Sequence, residues 1–220
     1  MKKALFTAVL LFSLLFTSNA QVSLSLFSGV GRSSFDKSIF NDPTVQIADF
    51  SQASYVPVGA QLYFNLPFIL SFGAEVNYAA VPYTFDVSFP INGQNMQVAE
   101  LKAHQLMVGV VVKAKLLPGP IVPYARVGAG LVSGGIDLNW TDQFKQFAAQ
   151  AGVTLQDSTI NVKSAVGINL GAGVELNFSQ SGGLYGEIVY YFIQRTPDIS
   201  GASSFQANSY ALQVGWQFKF

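Results

Sequence analysis

The last eleven residues of this chain, Tyr210 to Phe220, alternate apolar with small or polar side chains without a break. Successive strand side chains point to opposite faces, so Tyr210, Leu212, Val214, Trp216, Phe218 and Phe220 form one apolar surface and Ala211, Gln213, Gly215, Gln217 and Lys219 the other. The same period of two recurs in eight segments: 21–32, 55–64, 69–78, 101–116, 122–132, 162–178, 184–193 and 207–220. Their connections vary in length in a regular way. Residues 65–68, 117–121 and 179–183 are short and carry Pro or Gly, whereas 33–54, 79–100, 133–161 and 194–206 are long. Proline and glycine preset turn angles and stop strands, which predicts an antiparallel, up-and-down order.

The placement of charge sharpens this picture. A lipid-facing charge at mid-membrane costs roughly 2–4 kcal/mol, while one facing a barrel lumen can be paired or hydrated. Glu75, Lys113, Lys115, Arg126, Glu175, Glu187 and Lys219 all fall on the polar face of their segments, opposite residues such as Val110, Val127 and Ile188. A soluble sandwich would not require that rule. Charged residues are 11% of the chain and apolar ones 50%, yet beyond the N-terminus no unbroken apolar run approaches the roughly 20 residues of a spanning helix. A closed barrel is the other backbone solution in lipid.

The N-terminus reads as a cleaved secretory signal over residues 1–20: Lys2 and Lys3 give a positive start, Ala4 to Phe16 an apolar core, and Ser18-Asn19-Ala20 a small-residue cleavage site. Cleavage leaves residues 21–220 as one domain with ten basic and twelve acidic residues, a formal charge of −2, so no nucleic-acid partner is expected. The absence of cysteine rules out disulfides and a lipid-modified cysteine.

The terminal strand resembles the C-terminal signature of bacterial outer-membrane barrels, in which a final aromatic and its alternate apolar residues are recognised by the barrel-insertion machinery. Pro123 to Leu131 and Gly167 to Phe178 look like the generic outer-membrane barrel domain. Over nearly all of its mature length the chain resembles the small eight-stranded barrels of the OmpA, OmpX and OmpW type. The resemblance implies an all-β, transmembrane, eight-stranded antiparallel barrel, monomeric in the outer membrane, with both termini periplasmic. Outer-membrane lipid, lipopolysaccharide and the barrel-assembly machinery are the implied partners, and no cofactor is implied. No peptidoglycan-binding domain follows Phe220, so cell-wall tethering is not implied.

Within such a barrel, Glu75, Lys113, Arg126, Glu175 and Glu187 form the candidate lumen network, with Gln61, Tyr63, Asn77, Asn169 and Asn177 beside them. An eight-stranded barrel is just wide enough to be filled by side chains or to hold one small ligand. Eleven glycines of inward parity, Gly59, Gly128 and Gly215 among them, leave two readings open: free space for water or ligand, or tight coiling that makes room for large neighbours. All eight aspartates lie in the long connections, which read as acidic outer loops and most simply as solvated surface. Arg32 and Lys102 sit at outward parity near the outer ends of their strands, where lipopolysaccharide phosphates would lie.

In the third long connection Trp140, Phe144 and Phe147 recur at helical spacing, predicting a short amphipathic helix capped by Asn139 that docks on the rim, lies on the membrane or lids the mouth. The single histidine, His104, has no serine nearby in its own strand, and Ser71 and Ser209 are only nominal partners, so the chain is not read as an enzyme. The expected function is a structural or surface-interaction role with a lumen closed by the ion-paired network. The alternative, which the OmpW resemblance implies, is passage or binding of small hydrophobic solutes.

Overall fold

A computed structural model describes residues 21–35, 53–66, 69–81, 83–91, 94–196 and 204–220; the expected signal segment at 1–20 lies outside them. The elements in chain order are β1 (Gln21–Phe35), β2 (Ala53–Asn65), β3 (Leu70–Val81), β4 (Tyr83–Ile91), β5 (Gln94–Ala103), β6 (Leu106–Lys115), β7 (Ile121–Trp140), α1 (Asp142–Gln150), β8 (Ser158–Asn177), β9 (Gly182–Arg195) and β10 (Phe205–Lys219). Eight of the strands close a ring in the order β1-β2-β3-β6-β7-β8-β9-β10, and β10 pairs back onto β1 from Ser23↔Lys219 to Phe35↔Ala207. Closure leaves the ring no unpaired edge, which is what a sheet in hydrocarbon requires.

Two expected loops are instead strand. Residues 83–91 and 94–103 pair as the β4–β5 hairpin, which prolongs β3 and β6 beyond the ring. β7 and β8 run on as well, so that Ala99–Ala103 of β5 pairs with Ile136–Trp140, and Gly134–Leu138 pairs with Ser158–Val162. A four-stranded extension, β4-β5-β7-β8, therefore rises from the end of the barrel that carries the long connections, here the loop end. Asp86 and Asp137 belong to its strands, which corrects their assignment to loops. Tyr83 to Ile91 and Ile136 to Trp140 alternate as the ring strands do, but Pro82, Pro90 and Gly93 around the first and Gly134-Gly135 before the second read as loop punctuation.

The joint between ring and extension is local. The backbone of β5 and β6 breaks at His104 and Gln105, whose place in the ladder is kept by His104 N–H donating to Gly135 O and Ala79 N–H to Gln105 O, both at 2.9 Å. The β7–β8 register shifts between Val132 and Gly134. Any Cβ at Gly134 would lie 2.0 Å from the carbonyl oxygen of His104, so only glycine permits this approach.

Burial alternates as the sequence pattern requires. On β10, Leu212, Val214, Trp216 and Phe218 are exposed, whereas Ala211, Gln213 and Gln217 are buried. Tyr210 and Phe220 share the outward face, so all six residues of the expected insertion signal point away from the lumen. Trp216 lies between Phe178 and Phe218, each 6.4 Å away between ring centroids, forming an aromatic group at the end with the short turns, the turn end. Val110, in the middle of β6, is 67% exposed. Val110→Lys is expected to destabilise the barrel by about 2–4 kcal/mol when unfolding is followed by urea titration in lipid vesicles.

Candidate functional site: the barrel interior

The inner face is built by a repeated cross-strand device. Phe27 lies opposite Gly59, Tyr55 opposite Gly31, Tyr63 opposite Gly73, Tyr124 opposite Gly173 and Tyr185 opposite Gly215. In each pair a Cβ on the glycine would fall 2.2–2.7 Å from the partner's ring. Arg126 and Asn169 lie in the same way over Gly171 and Gly128. Large side chains thus lie flat across the neighbouring strand instead of colliding on the barrel axis. These inward glycines are occupied by neighbours, which settles them as makers of room for side chains.

At the turn end the interior is polar and partly exposed. Lys219 Nζ donates to Asn177 Oδ1 at 2.6 Å and Lys115 Nζ to Asn65 Oδ1 at 3.2 Å, while Asn65 Nδ2 and Gln217 Nε2 both donate to Ser23 Oγ at 3.0 Å. One step inward, buried Lys113 donates to Glu175 Oε1 at 2.9 Å, with Lys115 Nζ 3.6 Å from the other oxygen. The Lys113 ammonium also stands 4.2 Å from the ring centroid of Tyr63, 4.3 Å from that of Tyr124 and 5.6 Å from that of Tyr185. Three aromatic faces replace much of the hydration that burial removes from this cation.

Arg126 occupies the centre. Its Nη1 donates to Glu187 Oε1 at 3.0 Å, and its Nη2 to Glu75 Oε2 and, at 3.0 Å, to Asn169 Oδ1. Gln61 Nε2 donates to Glu75 Oε2 at 2.8 Å and to Glu187 Oε1 at 3.2 Å, and the Tyr124 hydroxyl donates to Glu187 Oε2 at 3.0 Å. Tyr63 closes the group by donating to Gln61 Oε1 at 3.2 Å. The five residues expected to form a lumen network are therefore brought together, all at most 3% exposed. Counting Lys115, three cations face three carboxylates, so this central group is electrically balanced where the dielectric is low, with Lys219 outside it at the turn end.

The interior turns apolar towards the loop end. Tyr191 marks the change, its hydroxyl accepting from Asn77 Nδ2 at 2.6 Å and Gln213 Nε2 at 3.0 Å. Tyr191 packs in one cluster with Val189 and Ala211 at its side and Tyr55, Ala79, Ala103, Met107, Val132 and Ile193. Parity alone does not single out Tyr124, Tyr185, Tyr191 and Gln213, although each has an inward position in an alternating strand. Their roles depend on which strands face one another across the lumen. Arg195, expected in a loop, is 5% exposed at the end of β9.

On the extension, Thr141 and not Asn139 caps α1, its Oγ1 accepting from Phe144 N–H at 3.4 Å. Asn139 is held in β7 opposite Glu100. Thr141 also fixes the helix start to β5, donating through N–H to Val98 O and through Oγ1 to Gln97 O, both at 2.9 Å. Trp140, Phe144 and Phe147 do come together, with centroids 5.5 and 6.3 Å apart, and Phe147 remains 48% exposed. His104 Nε2 lies 2.6 Å from Asp137 Oδ2 at the base of the extension. The Thr159 hydroxyl, and secondarily His104, hold the Asp137 carboxyl below the usual carboxylate range. Ser71, donating to Asn65 Oδ1 at 2.8 Å, sits at the opposite end of the β3–β6 pair from His104. Among the described residues, no helix is long and apolar enough to cross a membrane.

Arg126→Met leaves two carboxylates buried without their cation and is expected to cost about 3–5 kcal/mol of unfolding free energy in urea titration. Adding Glu75→Gln and Glu187→Gln to that variant should restore most of the loss, since the penalty comes from uncompensated charge.

Comparison with known structures agrees with this architecture. Neisserial surface protein A is similar over 90% of this chain and 97% of its own, with a TM-score of 0.58 at 13% identity. OprG of Pseudomonas aeruginosa is similar over 92% of this chain and 98% of its own, with a TM-score of 0.54 at 13% identity. No curated protein sequence matches the chain. Likenesses at this identity carry the fold alone. The model of the outer membrane protein beta-barrel domain, by contrast, matches residues 5–218 directly. With a closed eight-stranded ring, a lipid-compatible outer wall and that match along nearly its whole length, the chain belongs to the outer membrane protein beta-barrel domain family.

Proposed function

We propose that this outer-membrane barrel is a monomeric scaffold whose lumen is plugged and whose loop end, facing outward, presents the β4-β5-β7-β8 extension and α1 as a contact surface. Both termini then lie on the periplasmic side, residues 1–20 are removed as a signal, and β10 is the strand handed to the assembly machinery. The observation that carries the plug is the buried Arg126 group: one guanidinium bridges carboxylates from β3 and β9 and an amide from β8, tying together strands from different sides of the ring. An ion on the barrel axis would have to break these contacts in a medium of low dielectric. The surface role draws its support from α1, whose aromatic group is fixed by backbone bonds to β5 yet leaves Phe147 half exposed. No catalytic role is proposed.

A second reading keeps a specific observation behind it. The apolar loop-end half of the interior, lined by Met107, Val132 and Ile193 above the Tyr191 layer, has the chemistry to receive a small hydrophobic solute. Planar-bilayer recording separates the two. The plugged scaffold should give no steady current, and Arg126→Ala combined with Glu187→Ala should open one. Steady current through the unaltered protein would overturn the plug. Cleavage at the 151–157 segment by protease added to intact cells is expected from the outward loop end.

A further inference from the structure

Outside the lumen, the wall is dented near the loop end. Pairing of β1 with β2 is regular up to Ser28↔Val58 and resumes at Gly31↔Tyr55, lapsing opposite Pro57. Proline has no N–H to donate to the ladder. The β2–β3 register also shifts between Val56 and Pro57. At this lapse a cavity of about 460 Å³ opens on the wall, with Gly31 and Tyr55 among its lining residues. That volume lies within the roughly 300–1,000 Å³ of sites that take small molecules.

Strand register arranges the lining into two rows. Arg32 pairs with Ser54 on one side and Tyr210 on the other, placing a guanidinium and two hydroxyls at one level. The level below, further from the loop end, carries Val30 paired with Leu212, and Leu212 with Ile188, with Val56 on β2 completing the row. All of these residues line the cavity. Hydrogen-bond donors therefore stand directly over an apolar groove, on a surface that faces the bilayer. A guanidinium matches phosphate geometry with paired donors, whereas an ordinary lipid chain alone would call for none.

We propose that this groove binds one molecule of a phosphorylated outer-leaflet lipid, lipid A of lipopolysaccharide, with an acyl chain along Val30, Val56, Leu212 and Ile188 and a phosphate on Arg32, Ser54 and Tyr210. The site rests on the outward orientation proposed above, which places the groove in the outer leaflet. It extends that reading from general lipid contact to a defined position. Arg32 supplies the charge, Tyr210 and Ser54 fix its level, and the lapse at Pro57 makes the space.

The full mature chain, refolded in neutral detergent, would be titrated with diphosphoryl lipid A, its dephosphorylated form and phosphatidylglycerol, and retained lipid read by native mass spectrometry. The unaltered protein should retain diphosphoryl lipid A in preference to both others. Arg32→Ala should weaken that retention about tenfold, as loss of a charge-assisted hydrogen bond predicts. Val30→Trp, which fills the groove, should abolish it. A heat-dependent gel shift reports folding of each variant, and Arg32→Ala, at an exposed position, carries the test if Val30→Trp misfolds. Equal retention of phosphatidylglycerol, or undiminished retention in either folded variant, would overturn the proposal. Micelles have no leaflets, so failure here counts against the groove, while failure of outside protease cleavage counts against the orientation.

Discussion

Arg126 stands buried on the inner wall of the barrel, where its charge must be answered by side chains. Glu75 and Glu187 answer it from β3 and β9; Gln61 donates to both carboxylates and Tyr124 to Glu187. Much of the interior follows from this constraint. Lys113 needs Glu175 and three tyrosine faces because it is buried in the same interior. The tyrosines in turn need glycines beside them, because a ring standing upright on every strand would overfill the lumen. Charge balance and glycine placement are thus two parts of one packing solution.

The same strands meet opposite demands on their two faces. Outward, Val110 and Leu212 satisfy hydrocarbon by having no polar atom; inward, Glu187 accepts from Arg126 and Tyr124, and Gln213 donates to Tyr191. Alternation along the chain is the simplest way to serve both, and it explains why a membrane protein can hold so many buried charges while its outer wall remains apolar. Membership of the outer membrane protein beta-barrel domain family is consistent with this division of labour.

How far the sequence reveals this structure depends on whether a feature is local. The eight ring strands are legible because each writes its own period of two, and the faces of Glu75, Lys113, Arg126, Glu175 and Glu187 follow from parity. Which of those charges would meet is not legible, since Arg126 and Glu75 lie on strands that do not pair with each other. The extension is hidden for a different reason: Phe85, Val87 and Phe89, like Ile136 and Leu138, keep the period of two, but Pro82, Pro90, Gly134 and Gly135 break the run as turn residues do. The helix is visible from the spacing of Trp140, Phe144 and Phe147. Its cap is mistaken by two residues because Asn139 and Thr141 are both good capping types, and only the continuation of β7 through Trp140 decides between them.

The continuity of β7 also has a mechanical side. A single strand runs from the level of Arg126 to the root of α1, so a pull on the helix is carried along the backbone towards the ion-paired centre. The register shift at Gly134 interrupts that line at the base of the extension. It is the point where the strand can bend without shearing the ladder below, much as a crease lets a stiff ribbon fold in one place. A bend taken up at this crease would leave the strand pairing of the ring beneath it unbroken.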